Sequence, residues 1–420
     1  MTACGRLFCC LALCCLADIL PCVGQWRYRD VDSSIAFNGI VLPYLSAIRV
    51  DFKERIDLLN LSISQSTNFS NCHFRSNTNF SSINFRDSVV FQNNGFDQTF
   101  YSSTDTFRGP LDFSGNHFRG LMFFERNYFK NEGKFLMDSF FGGSLFRGSQ
   151  FYGPANFSVC YFKSLCSFQN CIFFNDASFT DLSVPGLLDF TNATFMGNVD
   201  FSKNHNISSR IDLTLIRTDT GRESTVKKRR GLNLTNSDVS KFKLDYSRFY
   251  LIFDTSASFE YRSNVYQSML NIFKNEGYTE SYELLDKDYK AALYDHKGDH
   301  FRGWLDKYWW DFGYSRHYIF YWTFGFLFFF TIVNMFFYPF LNREVYSIKD
   351  VQDKFIYRRA RWVGRRFYYS LVYTSIIFFS LSVKLDRLRY RYWGGVIYIF
   401  IIYVLGLICI AYMANFLITR

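Results

Sequence analysis

The sequence has few of the residues from which catalytic and metal sites are built. Its 420 residues include six histidines, which are scattered along the chain. No window contains a nucleotide-binding loop, a zinc-ligand cluster or a nucleophile elbow. His296 and His300 have the i, i+4 spacing of a metal pair on a helix, but no third ligand lies near them in the sequence. We therefore predict no enzyme, no cofactor and no metal site.

Most of the cysteines lie in the N-terminal segment, so they give little basis for predicting a disulfide framework. Six of the eleven cysteines lie in residues 1–24. The others are Cys72, Cys160, Cys166, Cys171 and Cys409. We predict that these five are buried thiols that act as small hydrophobic residues. A disulfide among Cys160, Cys166 and Cys171 remains open if the fold brings two of their β-carbons within about 4.5 Å.

The centre of the chain lacks an excess of charge of either sign. Residues 51–203 hold fourteen Asp or Glu and twelve Lys or Arg, a net charge of −2. This is too nearly neutral to imitate a phosphate backbone, so we predict no nucleic acid partner through acidic mimicry. The formal net charge of the whole chain is +10, and residues 342–391, with twelve Lys or Arg against four Asp or Glu, account for +8 of it.

The strongest positive feature is a phenylalanine repeat from Phe69 to Phe201. Phe recurs with alternating steps of five and six residues, in two interleaved registers that each repeat every eleven. Phe fills 23 of the 25 positions, and the exceptions are Ser102 and Val184. A helix repeats near 3.6 residues and a strand near 2, so neither explains the pattern. A chain that turns a corner every five or six residues does.

The residues around each Phe indicate which side chains face inward. Small residues stand two positions before many of them, as at Ala155, Cys160 and Cys166, and polar residues mostly follow them. The pattern resembles the Phe-rich variant of the pentapeptide-repeat family. That resemblance implies a right-handed, four-sided β-solenoid (a quadrilateral β-helix) with about 22 residues per coil. Each Phe would then stack on the Phe one coil above it.

The flanking segments predict the remaining domains. Residues 1–24 are typical of a signal peptide; anchoring or lipid attachment at Cys22 is the alternative. The solenoid is predicted over residues 41–262, with a solvated insertion loop at 214–231. Residues 263–317 predict a helical hairpin and an aromatic linker at the level of lipid headgroups. Residues 318–420 predict a transmembrane module with α-helical segments 318–341, 367–383 and 393–418.

The C-terminal module resembles the two-helix pore module of tetrameric cation channels. Residues 369–374 resemble a pore helix, and residues 403–407 resemble an inner helix with a central glycine. The pore candidates by this resemblance are Thr374, Ser375, Ser380, Ser382 and Gly406. Residues 375–382 contain no glycine, so the sequence does not predict a potassium-selective filter. A degenerate pore, non-selective or non-conducting, remains open.

Together these patterns favour an exported membrane protein. The basic loop at 342–366 should be cytoplasmic, and three spans would then place the C-terminus inside as well. We predict an integral protein of a bacterial inner membrane whose solenoid, on the periplasmic side, is a binding or scaffolding surface. Its expected partners are membrane lipid, an unknown protein or polymer on the solenoid, and other copies of the chain through the membrane helices. The alternative is an ion channel or a channel-like sensor.

Overall fold

The computed structural model describes residues 25–27, 29–219, 228–346, 363–379, 389 and 392–418. The predicted signal peptide lies outside these residues, as does the middle of the predicted insertion loop, residues 220–227. The chain divides between Asp288 and Tyr289 into two compact units. The first contains a β-solenoid and the second contains the apolar helices.

Four parallel sheets form a β-solenoid of about ten turns over residues 25–252, followed by helices, which confirms the predicted fold class. The central coils add 22 residues each, because Phe91 pairs with Phe69 on one side and with Phe113 on the other. The coils at the two ends differ, since Asp30 pairs with Asp51 and Val199 pairs with Leu232. We name the sheets A to D in the order in which the chain first enters them. Every complete coil passes once through each sheet.

The strands are short, with two to four residues each. Sheet A contains Gln25–Arg27, Leu45–Ile48, Thr67–Ser70, Val89–Gln92, Leu111–Ser114, Gly133–Lys134, Ala155–Asn156, Ala177–Ser178, Val199–Asp200, Arg230–Asn233 and Phe249–Ile252. Sheet B contains Asp30–Val31, Asp51–Phe52, His73–Phe74, Gly95–Phe96, His117–Phe118, Ser139–Phe140, Tyr161–Phe162, Ser183–Val184 and Asn206–Ile207. Sheet C contains Ile35–Asn38, Ile56–Leu59, Thr78–Ser81, Phe100–Ser103, Met122–Glu125, Ser144–Leu145, Cys166–Ser167, Leu188–Asp189, Ile211–Leu213 and Phe242–Leu244. Sheet D contains Val41–Leu42, Ser62–Ile63, Asn84–Phe85, Thr106–Phe107, Tyr128–Phe129, Gln150–Phe151, Ile172–Phe173 and Thr194–Phe195.

The phenylalanines fill the interior as stacked columns. In sheet B the ring centroids of Phe74 and Phe96 lie 4.6 Å apart with their planes 3° from parallel, and Phe96 and Phe118 repeat the same geometry. Rings from the opposite sheets A and C meet edge to face, as Phe146 and Phe157 do at 5.1 Å and 82°. Both arrangements are favourable for aromatic pairs. The predicted stacking on the Phe one coil above is therefore confirmed.

Two corners of each coil share a left-handed backbone conformation, which therefore recurs every eleven residues. The residue two positions after each Phe of the first register has a positive φ, near 55° at Asn71 and Asn93. Glycine occupies the position at 115 and 148, where no side chain opposes this conformation. Val159 adopts it as well, with φ of 61°, although a β-branched residue is strained there.

The first interruption of the Phe repeat is compensated within its own coil. Ser102 stands in a Phe position, and Phe100, two residues earlier, fills the space where a small residue is usual. The Phe100 ring lies 5.0 Å from Phe96 and 6.0 Å from Phe124. The Ser102 hydroxyl donates a hydrogen bond of 2.6 Å to the buried carboxylate of Asp105. The solenoid therefore stays filled where the sequence pattern breaks.

Both ends of the solenoid differ from the predicted boundaries. Its described strands begin at Gln25 and not near residue 41, since short strands extend the sheets before the Phe pattern starts. At the other end the predicted loop 214–231 overlaps the strand that begins at Arg230. Val239 opens a 3₁₀ turn, and Phe242 and Leu244 in the strand that follows are buried.

Two helices follow the last coil. Helix α1, Phe259–Glu276, begins at an N-cap hydrogen bond from Tyr261 N–H to the Ser258 hydroxyl. It ends at Gly277, a left-handed cap with φ of 76°. Its buried face contacts the solenoid through Phe273, whose ring lies 6.3 Å from that of Tyr246. Helix α2 spans Thr279–Lys297. The Asp288 carboxylate on α2 accepts hydrogen bonds from Arg229 and Tyr246.

In its described residues the second unit contains four further helices: α3, His300–Trp310; α4, Tyr318–Phe340; α5, Val363–Phe378; and α6, Trp393–Ile418. A 3₁₀ turn at Asp311–Gly313 precedes α4, and a π turn at Leu341–Val345 follows it. Three aromatic contacts run in opposite sequence order along α4 and α6: Phe320 with Phe416, Phe330 with Tyr398, and Phe340 with Tyr392. The two helices are therefore antiparallel.

This direction corrects the predicted three-span arrangement. Three successive spans would make α4 and α6 parallel, because each span reverses the direction of the chain across the membrane. Helix α5 has 16 residues and a length of about 24 Å, which is less than the ~30 Å of a hydrocarbon core. Only α4 and α6 are long and apolar enough to cross a membrane among the helices described. Residues 380–383 of the predicted middle span lie outside the described residues.

Candidate functional site

The core of the second unit is an apolar cluster formed by α4, α5 and α6. Its fully buried members include Val345, Tyr373, Ile377, Phe378 and Ile402. On their outer sides α4 and α6 present large apolar side chains, among them Phe324 and Phe336, which are 67% and 70% exposed, and Phe400, which is 63% exposed. An aqueous surface rarely exposes so many large apolar groups together.

A polar network lies inside this cluster. The Asn334 side-chain amide on α4 donates to the Thr374 hydroxyl on α5 (2.7 Å), and the Tyr398 hydroxyl on α6 donates to the Asn334 side-chain oxygen (2.8 Å). Thr374 in turn donates to the carbonyl oxygen of Ser370 (2.7 Å). Asn334 and Thr374 are both fully buried. Since unpaired polar groups are costly in an apolar core, this network fixes how the three helices pack.

The sequence singled out Thr374 but not its partners. Asn334 was visible as an isolated amide within the uncharged run 318–341, which is the kind of residue that marks a polar contact between membrane helices. Of the other pore candidates, Ser375 is half-buried on α5. Ser380 and Ser382 lie outside the described residues.

Gly406 lies where α6 crosses the end of α5. A β-carbon built on Gly406 would lie 1.8 Å from the carbonyl oxygen of Phe378, so only glycine permits this contact. Close approach of backbones at small residues is a common way for membrane helices to pack. The structure therefore brings Thr374 and Gly406 into one helix cluster, in which Gly406 has a packing role.

A cavity of about 360 Å³ lies where α4 begins and α6 ends. It is lined mainly by aromatic side chains, and Arg316 and Asn415 are its polar members. Phe312, on the cavity wall, has φ of 56°, and the neighbouring Asp311 has φ of 55°. Two successive non-glycine residues in this conformation are uncommon and hold the aromatic wall in a tight turn.

Inside the solenoid, sequence reasoning missed two ladders of buried polar residues. They occupy the position two before the Phe, where small residues were expected. In the first ladder Cys72, Asn94, Asn116 and Asp138 are each separated by one coil. Each backbone N–H donates to the side-chain oxygen on the next coil: Cys72 to Asn94 (2.8 Å), Asn94 to Asn116 (3.0 Å) and Asn116 to Asp138 (2.7 Å).

The second ladder runs through Asp105, Asn127 and Ser149 with the same geometry. In both ladders the side chain also donates to a backbone carbonyl of a previous coil, as Asn116 does to Phe91 (2.9 Å) and Ser149 to Phe124 (2.8 Å). The polar residues are therefore part of the repeat. Their signal in the sequence was the recurrence of Asn, Asp and Ser at 22-residue intervals.

The two acids in these ladders are chemically distinct from the amides. Burial raises the pKa of Asp105 to about 7, and burial raises the pKa of Asp138 well above its usual range. One carboxyl oxygen of Asp138, Oδ2, has no hydrogen-bond partner among the described residues. At the equivalent position of the coil before, the Asn116 amide donates to a carbonyl. A protonated Asp138 would supply the donor that this place in the ladder uses.

The five described cysteines are buried and free, as predicted for buried thiols. Burial raises the pKa of Cys160 and Cys171, and both thiols donate to backbone carbonyls, Cys160 to Phe135 and Cys171 to Phe146. Such thiols are poor nucleophiles at neutral pH. Among the described residues no three His, Cys, Asp or Glu side chains are grouped as metal ligands would be.

Comparison of this chain with protein-family models, with curated proteins and with solved structures gave no match.

Proposed function

We propose that this protein is an exported membrane protein in which α4 and α6 anchor a β-solenoid that serves as a binding or scaffolding surface. The observation that carries the proposal is the exposed apolar surface of α4 and α6, both long enough to span a membrane. These helices of 23 and 26 residues are about 35 and 39 Å long. Lipid would cover these apolar side chains, whose exposure to water costs free energy.

Helix α3 supports membrane attachment. Phe301, Trp304 and Tyr308 lie on one side of it in successive ring contacts of 6.4 and 5.5 Å, and all three are at least half exposed. Arg302 and Lys307 lie on the same short helix. Exposed aromatic rings next to basic residues are typical of a helix at the headgroup level of a membrane.

Antiparallel α4 and α6 make the topology testable. Two spans would return the chain to its starting side, so a reporter fused after Arg420 should be on the exported side. We expect a fused alkaline phosphatase to be active in bacterial cells and a fused green fluorescent protein to be dark. The protein should also stay in the membrane pellet after alkaline extraction. A fluorescent C-terminal fusion, or release into the alkaline supernatant, would contradict the proposal.

A channel-like sensor is the second candidate, and the Asn334–Thr374–Tyr398 network favours it. Polar residues inside membrane helices frequently mark ion pathways or switching elements. Here several copies of the chain would assemble through α4 and α6. Ion flux through the purified full chain in liposomes is the test, with Asn334→Leu as the disabling variant and Phe400→Leu, on the exposed side of α6, as its control. Flux no greater than that of empty vesicles would exclude this candidate.

A further inference from the structure

One outer face of the solenoid carries a column of three cations. Arg86, Arg108 and Lys130 each follow the inward-facing Phe of a sheet D strand on three successive coils. Adjacent coils are separated by the strand spacing of ~4.8 Å. All three side chains are exposed. We call Arg86, Arg108 and Lys130 the basic strip.

The basic strip has no acidic side chains beside it on its own face. The outward residues that precede the inward Phe in the same region of sheet D are neutral: Asn84, Thr106, Tyr128, Gln150 and Ile172. Asp87 follows Arg86 at the corner, where its carboxylate accepts a hydrogen bond from Ser88 N–H (2.7 Å). Within the part of the chain that the structure describes, none of the three cations has a carboxylate within 4.0 Å.

Sheet B provides the contrast, because three of its four cations at the same position of the coil are neutralised; the fourth, Lys163, has no carboxylate partner among the described residues. Lys53 pairs with Asp30 and Asp32 at 3.0 and 2.8 Å. Arg75 pairs with Asp51 at 2.6 Å, and Arg119 pairs with Asp97 at 3.1 Å. The same repeat therefore balances charge on one face and leaves it unbalanced on another. Three like charges at strand spacing repel each other unless an anion lies along them.

Two of the three cations are held in place by neutral neighbours. Arg108 donates through Nε to the side-chain oxygen of Asn84 (3.1 Å), which leaves the terminal nitrogens of its guanidinium directed elsewhere. The Lys130 ammonium lies 3.5 Å from the centre of the Tyr152 ring. Ordering these side chains in advance lowers the entropy cost of binding an anion.

We propose that the basic strip binds a linear acidic polysaccharide, a polymer with a carboxylate on each sugar. This rests on the proposed function, in which the solenoid is accessible outside the cytoplasm. The strip is one side chain wide and follows the solenoid axis, so it fits a single extended chain better than a membrane surface. The carboxylates would contact the three cations, and the neutral amide and hydroxyl groups of Asn84, Thr106 and Gln150 match sugar hydroxyls.

The Tyr152 ring beside the basic strip argues against single-stranded nucleic acid as the ligand. Proteins that bind single strands stack the bases on open aromatic faces. Tyr152 has one ring face stacked on Phe174 at 4.5 Å and 10°, and the other covered by the Lys130 ammonium. Neither face of this ring is open to a base. Tyr152 therefore offers no stacking surface, whereas the Tyr128 ring is 37% exposed, so the test below includes oligothymidylate.

The test uses the full chain, purified in a neutral detergent, and a fluorescent oligogalacturonate as the probe. The disabling variant is Arg86→Gln/Arg108→Gln/Lys130→Gln. The matched control, Lys53→Gln/Arg75→Gln/Arg119→Gln, removes the same net charge from sheet B. We expect the wild type to bind with an affinity that decreases with added salt. The strip variant should bind at least tenfold more weakly, and the control should bind within twofold of the wild type. Circular dichroism should show that both variants are folded.

Three results would overturn the proposal: no binding of the probe by the wild type, equal weakening in both variants, or tighter binding of oligothymidylate or of anionic vesicles than of oligogalacturonate. The second would mean that net charge alone attracts the polymer. The third would assign the strip to nucleic acid or to a membrane. Because this assay uses purified protein, its result is independent of the reporter fusion and alkaline extraction that test membrane anchoring.

Discussion

The solenoid and the cluster of α4, α5 and α6 bury polar side chains in different ways. In the solenoid the buried polar contacts repeat from coil to coil. The backbone N–H of Cys72 donates to the side chain of Asn94, and the backbone N–H of Asn94 donates to the side chain of Asn116. In the helix cluster, Asn334, Thr374 and Tyr398 form one network that occurs once among the described residues. The difference indicates that the solenoid's polar groups serve its repeat, whereas the helix network serves one specific packing arrangement.

The largest effect should come from removing one ring of the solenoid interior. Phe157 is fully buried and stacks on Phe135 at 4.7 Å and on Phe179 at 5.3 Å. We expect Phe157→Ala to lower the free energy of unfolding by about 3–5 kcal/mol, since it leaves a cavity between two coils. Chemical unfolding followed by circular dichroism measures this. Phe141→Ala, at an exposed ring, is the control; an equal loss in both variants would mean that the stacked column is not what stabilises the solenoid.

Asp138 gives the next largest effect, and it depends on pH. Its folded pKa is raised, so the folded state holds a proton that the unfolded state loses above about pH 3.9. The stability of the wild type relative to Asp138→Asn should therefore be highest near pH 4 and decrease as pH rises, by up to about 1.4 kcal/mol per pH unit. The decrease should stop above the folded pKa.

The measurement is the unfolding midpoint of both proteins at pH 5 and pH 8. We expect Asp138→Asn to be the more stable at pH 8, because its amide reproduces Asn116 one coil earlier. Asp87→Asn, at an exposed corner, should follow the wild type at both values. A wild-type protein that gains stability over Asp138→Asn between pH 5 and pH 8 would show that Asp138 is ionised in the fold.

Gly406 tests the helix cluster. Gly406→Ala should lower the stability of the helix cluster by about 1–3 kcal/mol, because the new methyl group would overlap the Phe378 carbonyl. The matched control is Gly394→Ala on the same helix, where a β-carbon meets nothing within 4 Å. Separation of α5 and α6 should raise the rate at which a maleimide labels Cys409, which is fully buried. Equal labelling rates in the two variants would contradict the contact.

The smallest effect concerns the left-handed corners. Val159 has φ of 61°, whereas the equivalent residue one coil earlier, Met137, is unbranched and that two coils earlier is Gly115. We expect Val159→Gly to raise the stability of the solenoid by about 1 kcal/mol, because it removes backbone strain. Val90→Gly, in a sheet A strand, should instead lower it. Thermal unfolding of both variants checks the prediction. Destabilisation by Val159→Gly would show that the backbone at Val159 is not strained.

The sequence predicted the solenoid well because its pattern is periodic. Phe at five- and six-residue steps indicated the inward positions, with small residues expected two places before each Phe, and the resemblance to pentapeptide repeats implied the 22-residue coil. It did not predict the strands before residue 41, since Val31 lies in the interior there without a Phe pattern. It also did not predict how Asp105 and Asp138 are accommodated, because each accepts a hydrogen bond from a backbone N–H one coil away, that of Ile83 or Asn116.

The helix cluster was less predictable, because its contacts join residues far apart in sequence without a repeat. Hydropathy located α4 and α6, but a short apolar run at 367–383 does not distinguish a span from a helix packed between spans. The antiparallel direction of α4 and α6 depends on contacts such as that of Phe320 with Phe416, to which no local pattern points. The partners of Thr374 were missed for the same reason.

The most direct test of export and anchoring is the accessibility of a cysteine introduced on the solenoid. Arg119 is exposed, with 73% of its side chain accessible, and the described native cysteines are buried. Bacterial spheroplasts that express Arg119→Cys would be treated with a membrane-impermeant maleimide before and after lysis, with the wild type as the background. We predict that Cys at this position is labelled equally in both samples. Labelling that occurs only after lysis would place the solenoid in the cytoplasm and contradict the account.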